Sequence, residues 1–155
     1  MVGEDVKLIV IHCADTYREM DIGVREIDRW HKENGWEGIG YHFVVRRSGV
    51  IESGRPLDQS MVPGWQVKQG AHVSGHNTES VGICMVGGKA LGGGPENNFT
   101  PEQFNSLFYL VQTLKRCFPA ATVVGHCDLD SHKSCPCFDV KEWWFRARCP
   151  EEGKR

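Results

Sequence analysis

Two short apolar runs constrain the fold most: Val6 to Ile11 (VKLIVI) and Val81 to Val86 (VGICMV). Both are too short for a helix and rich in β-branched residues, and neither alternates as a half-exposed strand would. Each therefore predicts a central strand buried on both faces, which needs helices packed on both sides of its sheet. A third run, Ala121 to Val124, predicts a shorter strand leading straight into Gly125-His126.

The segments between these runs supply the helices. Asp21 to Asn34 reads as a helix with Ile27, Trp30 and His31 on one face and Gly35 at its stop. Thr100-Pro101-Glu102-Gln103 starts a second helix, with Thr100 as N-cap, Pro101 at the first helical position and Gln103 completing a capping box. Phe104, Leu107, Phe108, Val111 and Leu114 form its buried stripe, and Pro119 ends it. Asp139 caps a last helix through Trp143 and Trp144, both expected in the core. His42 to Arg47 and Val50 to Glu52 flank Ser48-Gly49 and predict a hairpin with a two-residue turn. Gly54 to Gly70 and Gly87 to Asn98 are expected to be loops. The reading is one α/β domain over residues 1–155, core about 6–145, with a central mixed β-sheet flanked by α-helices.

A net charge of −2 gives no electrostatic reason to expect nucleic-acid binding. The start, MVGEDVK, is acidic where an export signal would be basic and then apolar, and no run approaches the ~20 residues of a membrane span. Synthesis in the cytoplasm without a signal peptide or membrane anchor is expected, as is a monomer, since no apolar helix face or coiled coil demands a partner. Seven cysteines, an odd number, point to reduced thiols, some of them available to metal.

The residues able to carry chemistry lie at the strand ends. His12 follows the first run, His126 follows the third, and Cys135 comes nine residues later in Lys133-Ser134-Cys135-Pro136. Two imidazoles and a thiolate suit zinc with one position left for water. On position alone, a strand-end histidine is more often a hydrogen-bonded core residue. Tyr41 is then half-buried packing, Lys133 a solvated charge, and His72 and Asn77 turn residues. Trp36 and Trp65 lie in loops, where either can floor a groove.

Six segments in order narrow these alternatives. They are VIHCADT at 10–16, GVREIDRWHKENGW at 23–36, IGYHFVVRRSGVIESGR at 39–55, GAHVSGHNTESVGICMVGG at 70–88, NFTPEQFNSL at 98–107 and GHCDLDSHKSCPCFDVKEWW at 125–144. Together they resemble the type-2 zinc N-acetylmuramoyl-L-alanine amidases. That family includes the peptidoglycan recognition proteins, and the likeness is closest to the amidase-type lysozymes of T-odd phages.

The resemblance implies an α/β amidase fold and one zinc ion held by His12, His126 and Cys135. It implies active-site roles for Tyr41 and Lys133, and a substrate groove containing His72 and Asn77, with Trp36 as a further groove candidate. It also implies peptidoglycan or muropeptide as substrate and action at the bacterial cell wall after release. The phage lysozymes of this likeness also inhibit a phage RNA polymerase, through a surface that this sequence does not mark.

The chain departs from the phage pattern in three places. The stretch from His126 to Lys133 is about one residue longer, His76 stands where relatives often have tyrosine, and the loop from Pro56 to Gln69 is longer. Cys127 and Cys137 flank the expected ligands and are candidates for metal competition or a disulfide. Rival readings are a non-catalytic peptidoglycan-binding module, a muropeptide-recycling amidase and a cysteine peptidase. The first typically lacks the cysteine ligand, and the second usually has aspartate in its place. The third is disfavoured because Cys13 and His12, adjacent on a strand, must face opposite ways.

Overall fold

The computed structural model describes residues 5–58 and 66–149. The first apolar run forms β1 (Leu8–Cys13), followed by the short β2 (Thr16–Tyr17) and α1 (Val24–Glu33). The hairpin strands are β3 (Phe43–Val45) and β4 (Ile51–Ser53), and then come β5 (Leu57–Asp58) and β6 (Gln66–Val67). The second apolar run forms β7 (Ser80–Met85), with β8 (Gly88–Lys89) just after it. The chain continues through α2 (Pro101–Cys117), β9 (Thr122–Gly125), the single-turn α3 (His126–Leu129) and α4 (Val140–Arg148).

The main sheet has the order β4-β3-β7-β1-β9. β1 runs parallel to β7 and β9, β3 runs parallel to β7, and β4 is antiparallel to β3, so the sheet is mixed as expected. Alternation along the strands sorts side chains between its faces. Ile9, Ile11 and Cys13 of β1 join Val81, Ile83 and Met85 of β7 in the larger core, under Leu107, Val111 and Leu114 of α2 and Val140 and Trp144 of α4. Val44 and Cys84 point the other way, against Ile27 of α1, together with Ile22 and Ile39. Val10 and Val124 share that second face.

The expected helix starts hold, with local adjustments. Thr100 Oγ1 accepts from the Gln103 N–H at 3.1 Å and Gln103 Oε1 accepts from the Thr100 N–H at 3.0 Å, which is the capping box. Gln103 is also fully buried, and its Nε2 donates to the carbonyls of Val45 and Val86. The amide therefore ties α2 to the ends of β3 and β7. α1 starts at Val24, three residues later than expected, because Glu26 accepts from the Gly23 N–H at 2.9 Å and Glu52 accepts from the Val24 N–H at 3.0 Å.

Three expectations need correction. The hairpin turn has three residues, because the Arg46 N–H donates to the Val50 carbonyl and Gly49 takes a left-handed φ of 90°. The stretch from Gly54 to Gly70, expected as loop, contains the antiparallel β5–β6 pair, and its Trp65 lies outside the described residues. Gly87 to Asn98 is not all loop, because β8 pairs in parallel with β2. These two-residue strands lack the length that hydrophobic alternation needs to be seen. Among the described residues, no helix is long and apolar enough to cross a membrane.

Candidate metal centre and active-site cleft

The register of the sheet builds the centre. Ile11 of β1 faces Gly125 of β9, so the next residues, His12 and His126, stand side by side at the ends of two parallel strands. They follow Val10 and Val124 by two positions and so point to the same face, away from the larger core. Their rings lie 4.8 Å apart, centroid to centroid. Cys13 faces the opposite side, which separates it from His12 as alternation requires.

The loop after α3 supplies the third member. The Cys127 N–H donates to the Cys135 carbonyl at 2.8 Å, folding the loop back on its own start. The Cys13 N–H donates to Cys135 Sγ at 3.1 Å, a bond for which a thiolate is the better acceptor. Cys135 Sγ lies 3.9 Å from His12 Nδ1, and one ligand atom from each of His12, His126 and Cys135 falls within 4.8 Å of the others. Sequence reasoning named these three, and the fold brings them together as a donor set for a metal ion.

Their surroundings bias both histidines toward the neutral form a metal requires. Burial, followed by the neighbouring His72 and His126, holds His12 well below its ordinary range. Burial and the nearby Lys133 charge lower His126. Cys137 is pushed up to about 12, first by burial, and its thiol donates to the Gly88 carbonyl. Burial also raises the Cys127 thiol. All seven cysteines are free thiols, and neither Cys127 nor Cys137 joins the donor set.

A cleft of about 400 Å³ opens over the centre, and Tyr41, His72 and Lys133 line it with the three donors. The Tyr41 ring lies 5.1 Å from that of His12. Burial, with Cys84 and Cys135 close by, pushes its phenol well above the ordinary range, so the hydroxyl keeps its proton. Lys133 is exposed on the rim. The stretch before it forms α3 and the turn in which the Lys133 N–H donates to the Asp130 carbonyl.

A smaller cavity continues from Tyr41 and His72 to Trp36 and Asn77. Trp36 is 45% exposed, and its ring lies 4.6 Å from that of His31, tilted by 53°. Asn77 Oδ1 accepts from the backbone N–H groups of His72 and Val73, so this side chain also shapes the loop. His72 bonds directly to His12, with 2.7 Å between Nδ1 and Nε2.

Sequence reasoning missed His42 and Ser80, both buried behind the centre. His42 Nδ1 accepts from the Gly82 N–H and its Nε2 donates to the Lys68 carbonyl. Both residues lie at or beside strand starts, and only the alternation of β3 and β7 could have marked them as facing the same side as His12.

Comparison with known proteins agrees with this architecture. The family described as N-acetylmuramoyl-L-alanine amidase matches residues 2–138. The chain is 46% identical over 141 residues to an endolysin of Klebsiella phage KP32, covering 91% of this chain and 87% of that one. It is 41% identical over 141 residues to the endolysin of Escherichia phage T7, with the same coverage of 91% and 87%. Among solved structures it is similar to the N-acetylmuramoyl-L-alanine amidase LysC from Clostridium intestinale, with a TM-score of 0.72 and 28% identity, covering 94% of this chain and 86% of that one.

Proposed function

The chain belongs to the N-acetylmuramoyl-L-alanine amidase family, and from that premise we propose that it is a zinc enzyme whose ion is held by His12, His126 and Cys135. It is a cell-wall lytic amidase of the endolysin kind. The bond to be cleaved joins the lactyl group of N-acetylmuramic acid to L-alanine. We assign the activity to a single amidase domain over residues 1–155, acting as a monomer on peptidoglycan at the wall after release from the cytoplasm.

One observation carries the metal reading: the three donors converge on the floor of a cleft. Their chemistry fits zinc, because bonds of about 2.0–2.1 Å to nitrogen and 2.3 Å to sulfur give a tetrahedral N–S separation of about 3.6 Å, close to the 3.9 Å between His12 Nδ1 and Cys135 Sγ. Bound there, zinc would supply a water of lowered pKa and Lewis-acid polarisation of the scissile carbonyl.

The chain's own residues account for the remaining demands of amide hydrolysis. Tyr41 keeps its hydroxyl proton and is a hydrogen-bond donor in the cleft rather than a base. Lys133 offers a cationic donor on the exposed rim of the same cleft. We assign both to the oxyanion of the tetrahedral intermediate, where one such donor is worth about 3–4 kcal/mol. The cavity bounded by Trp36, His72 and Asn77 is our candidate for the continuing substrate groove.

The test is zinc content per chain on protein purified without added metal, paired with muramoyl-L-alanine cleavage before and after chelation. One zinc per chain, with cleavage lost on chelation and restored by zinc, is expected. Zinc without cleavage would favour a binding module, and chelator-resistant cleavage would overturn the ligand assignment.

A further inference from the structure

We propose that His72 is a positioning residue: a hydrogen-bond chain anchored on Ser80 fixes the tautomer of His12 so that Nδ1 presents its lone pair to the metal. This rests on the metal reading above and gives His72 a role besides lining the groove.

The direction of every bond in the chain follows from counting protons. Ser80 Oγ lies 2.7 Å from the His76 carbonyl oxygen. A carbonyl can only accept, so the single hydroxyl proton is committed there. Ser80 Oγ also lies 3.1 Å from His72 Nε2. Having no second proton to give, the hydroxyl accepts, and Nε2 of His72 must carry hydrogen. A neutral His72 ring then has its lone pair on Nδ1, which is 2.7 Å from His12 Nε2. His12 donates that bond, so its own lone pair sits on Nδ1, the atom that faces Cys135 Sγ. The alternative, an imidazolium at His72, would place a positive ring against a ligand of a cation and is electrostatically disfavoured.

The backbone holds the ring of His72 in place independently of these bonds. A Cβ at Gly82 would stand 2.7 Å from the ring atoms of His72, and a Cβ at Gly70 would stand 2.6 Å from its Cδ2. Two glycines thus form a slot that the ring fills. Asn77 Oδ1, accepting from the His72 and Val73 N–H groups, fixes the loop at the same point. A metal-bound histidine commonly donates its other N–H to an outer partner, and losing that partner typically costs ~10–100-fold in metal affinity. Here the partner is another imidazole, itself oriented by a hydroxyl.

The experiment compares zinc affinity, by chelator competition, among wild type, His72→Ala and His72→Asn, with folding checked by circular dichroism. Imidazole ¹⁵N NMR of the metal-free wild type reads the tautomers directly. In Asn the carboxamide oxygen replaces Nδ1 as acceptor. His72→Ala should lose about 10–100-fold in affinity, His72→Asn should recover most of it, and His12 should carry its proton on Nε2. His72→Ala binding as tightly as wild type, His72→Asn falling as far as His72→Ala, or a proton on His12 Nδ1 would each overturn the inference. A wild type that binds no zinc would instead overturn the metal reading itself.

Discussion

Ile11 faces Gly125 across the β1–β9 ladder, and one residue further along each strand stand His12 and His126. Two of the three proposed ligands are therefore set by backbone pairing between the edge strand β9 and its neighbour β1, before any side chain chooses a rotamer. The third, Cys135, is tied to the same place by the N–H groups of Cys13 and Cys127, which reach its sulfur and its carbonyl.

Removing a donor should abolish tight binding without unfolding the sheet. Cys135→Ser and His126→Ala are each expected to weaken zinc by more than the ~100-fold upper range for an outer partner. Chelator competition measures the loss, and unchanged far-ultraviolet circular dichroism would show that the fold survives. Stoichiometric zinc in both variants would refute the ligand set.

Tyr41→Phe and Lys133→Ala should separate chemistry from metal binding. Each removes one donor from the cleft, so kcat should fall by about 10²–10³-fold while zinc remains stoichiometric. A drop in zinc content in step with activity would assign these residues to holding the metal instead.

Acid should destabilise the metal-free protein through His42. Its folded value, lowered to about 4 from 6.5 chiefly by burial, means that the unfolded chain binds the proton first as pH falls. The stabilising contribution is complete above about pH 6.5 and is lost on the way down to about pH 4, roughly 3 kcal/mol in all. Urea midpoints between pH 7.5 and 4.5 follow this loss, and His42→Gln should reduce the dependence, leaving the share of His72, which burial lowers to about 3. An equal slope in both proteins would show that other groups govern it.

Gln103→Leu should be far costlier than an ordinary surface change. The amide joins Arg47, Thr100, Val45 and Val86 in a fully buried position, and leucine removes all four bonds at once, the one accepted from the Thr100 N–H among them. A loss of roughly 2–4 kcal/mol is expected in denaturant titrations. A loss within 0.5 kcal/mol of zero, about the scatter of surface substitutions, would mean that water replaces the amide.

The long elements were legible because their signals are periodic or chemical. VKLIVI and VGICMV became β1 and β7, and Thr100 to Gln103 formed its capping box. His12, His126 and Cys135 were marked by strand ends and by the resemblance. The β2–β8 and β5–β6 pairs were hidden because two residues carry no alternation. Ser80 was hidden for another reason: its role depends on β7 passing behind the loop that carries His72, a long-range meeting that no local pattern encodes.

The bond from Cys127 N–H to the Cys135 carbonyl closes residues 128–134 into a loop hanging from two fixed posts. A loop closed in this way can change length between its posts without moving either post. Residues 128–132 can therefore be varied by design at the rim while Lys133 and the donors on the floor below are kept.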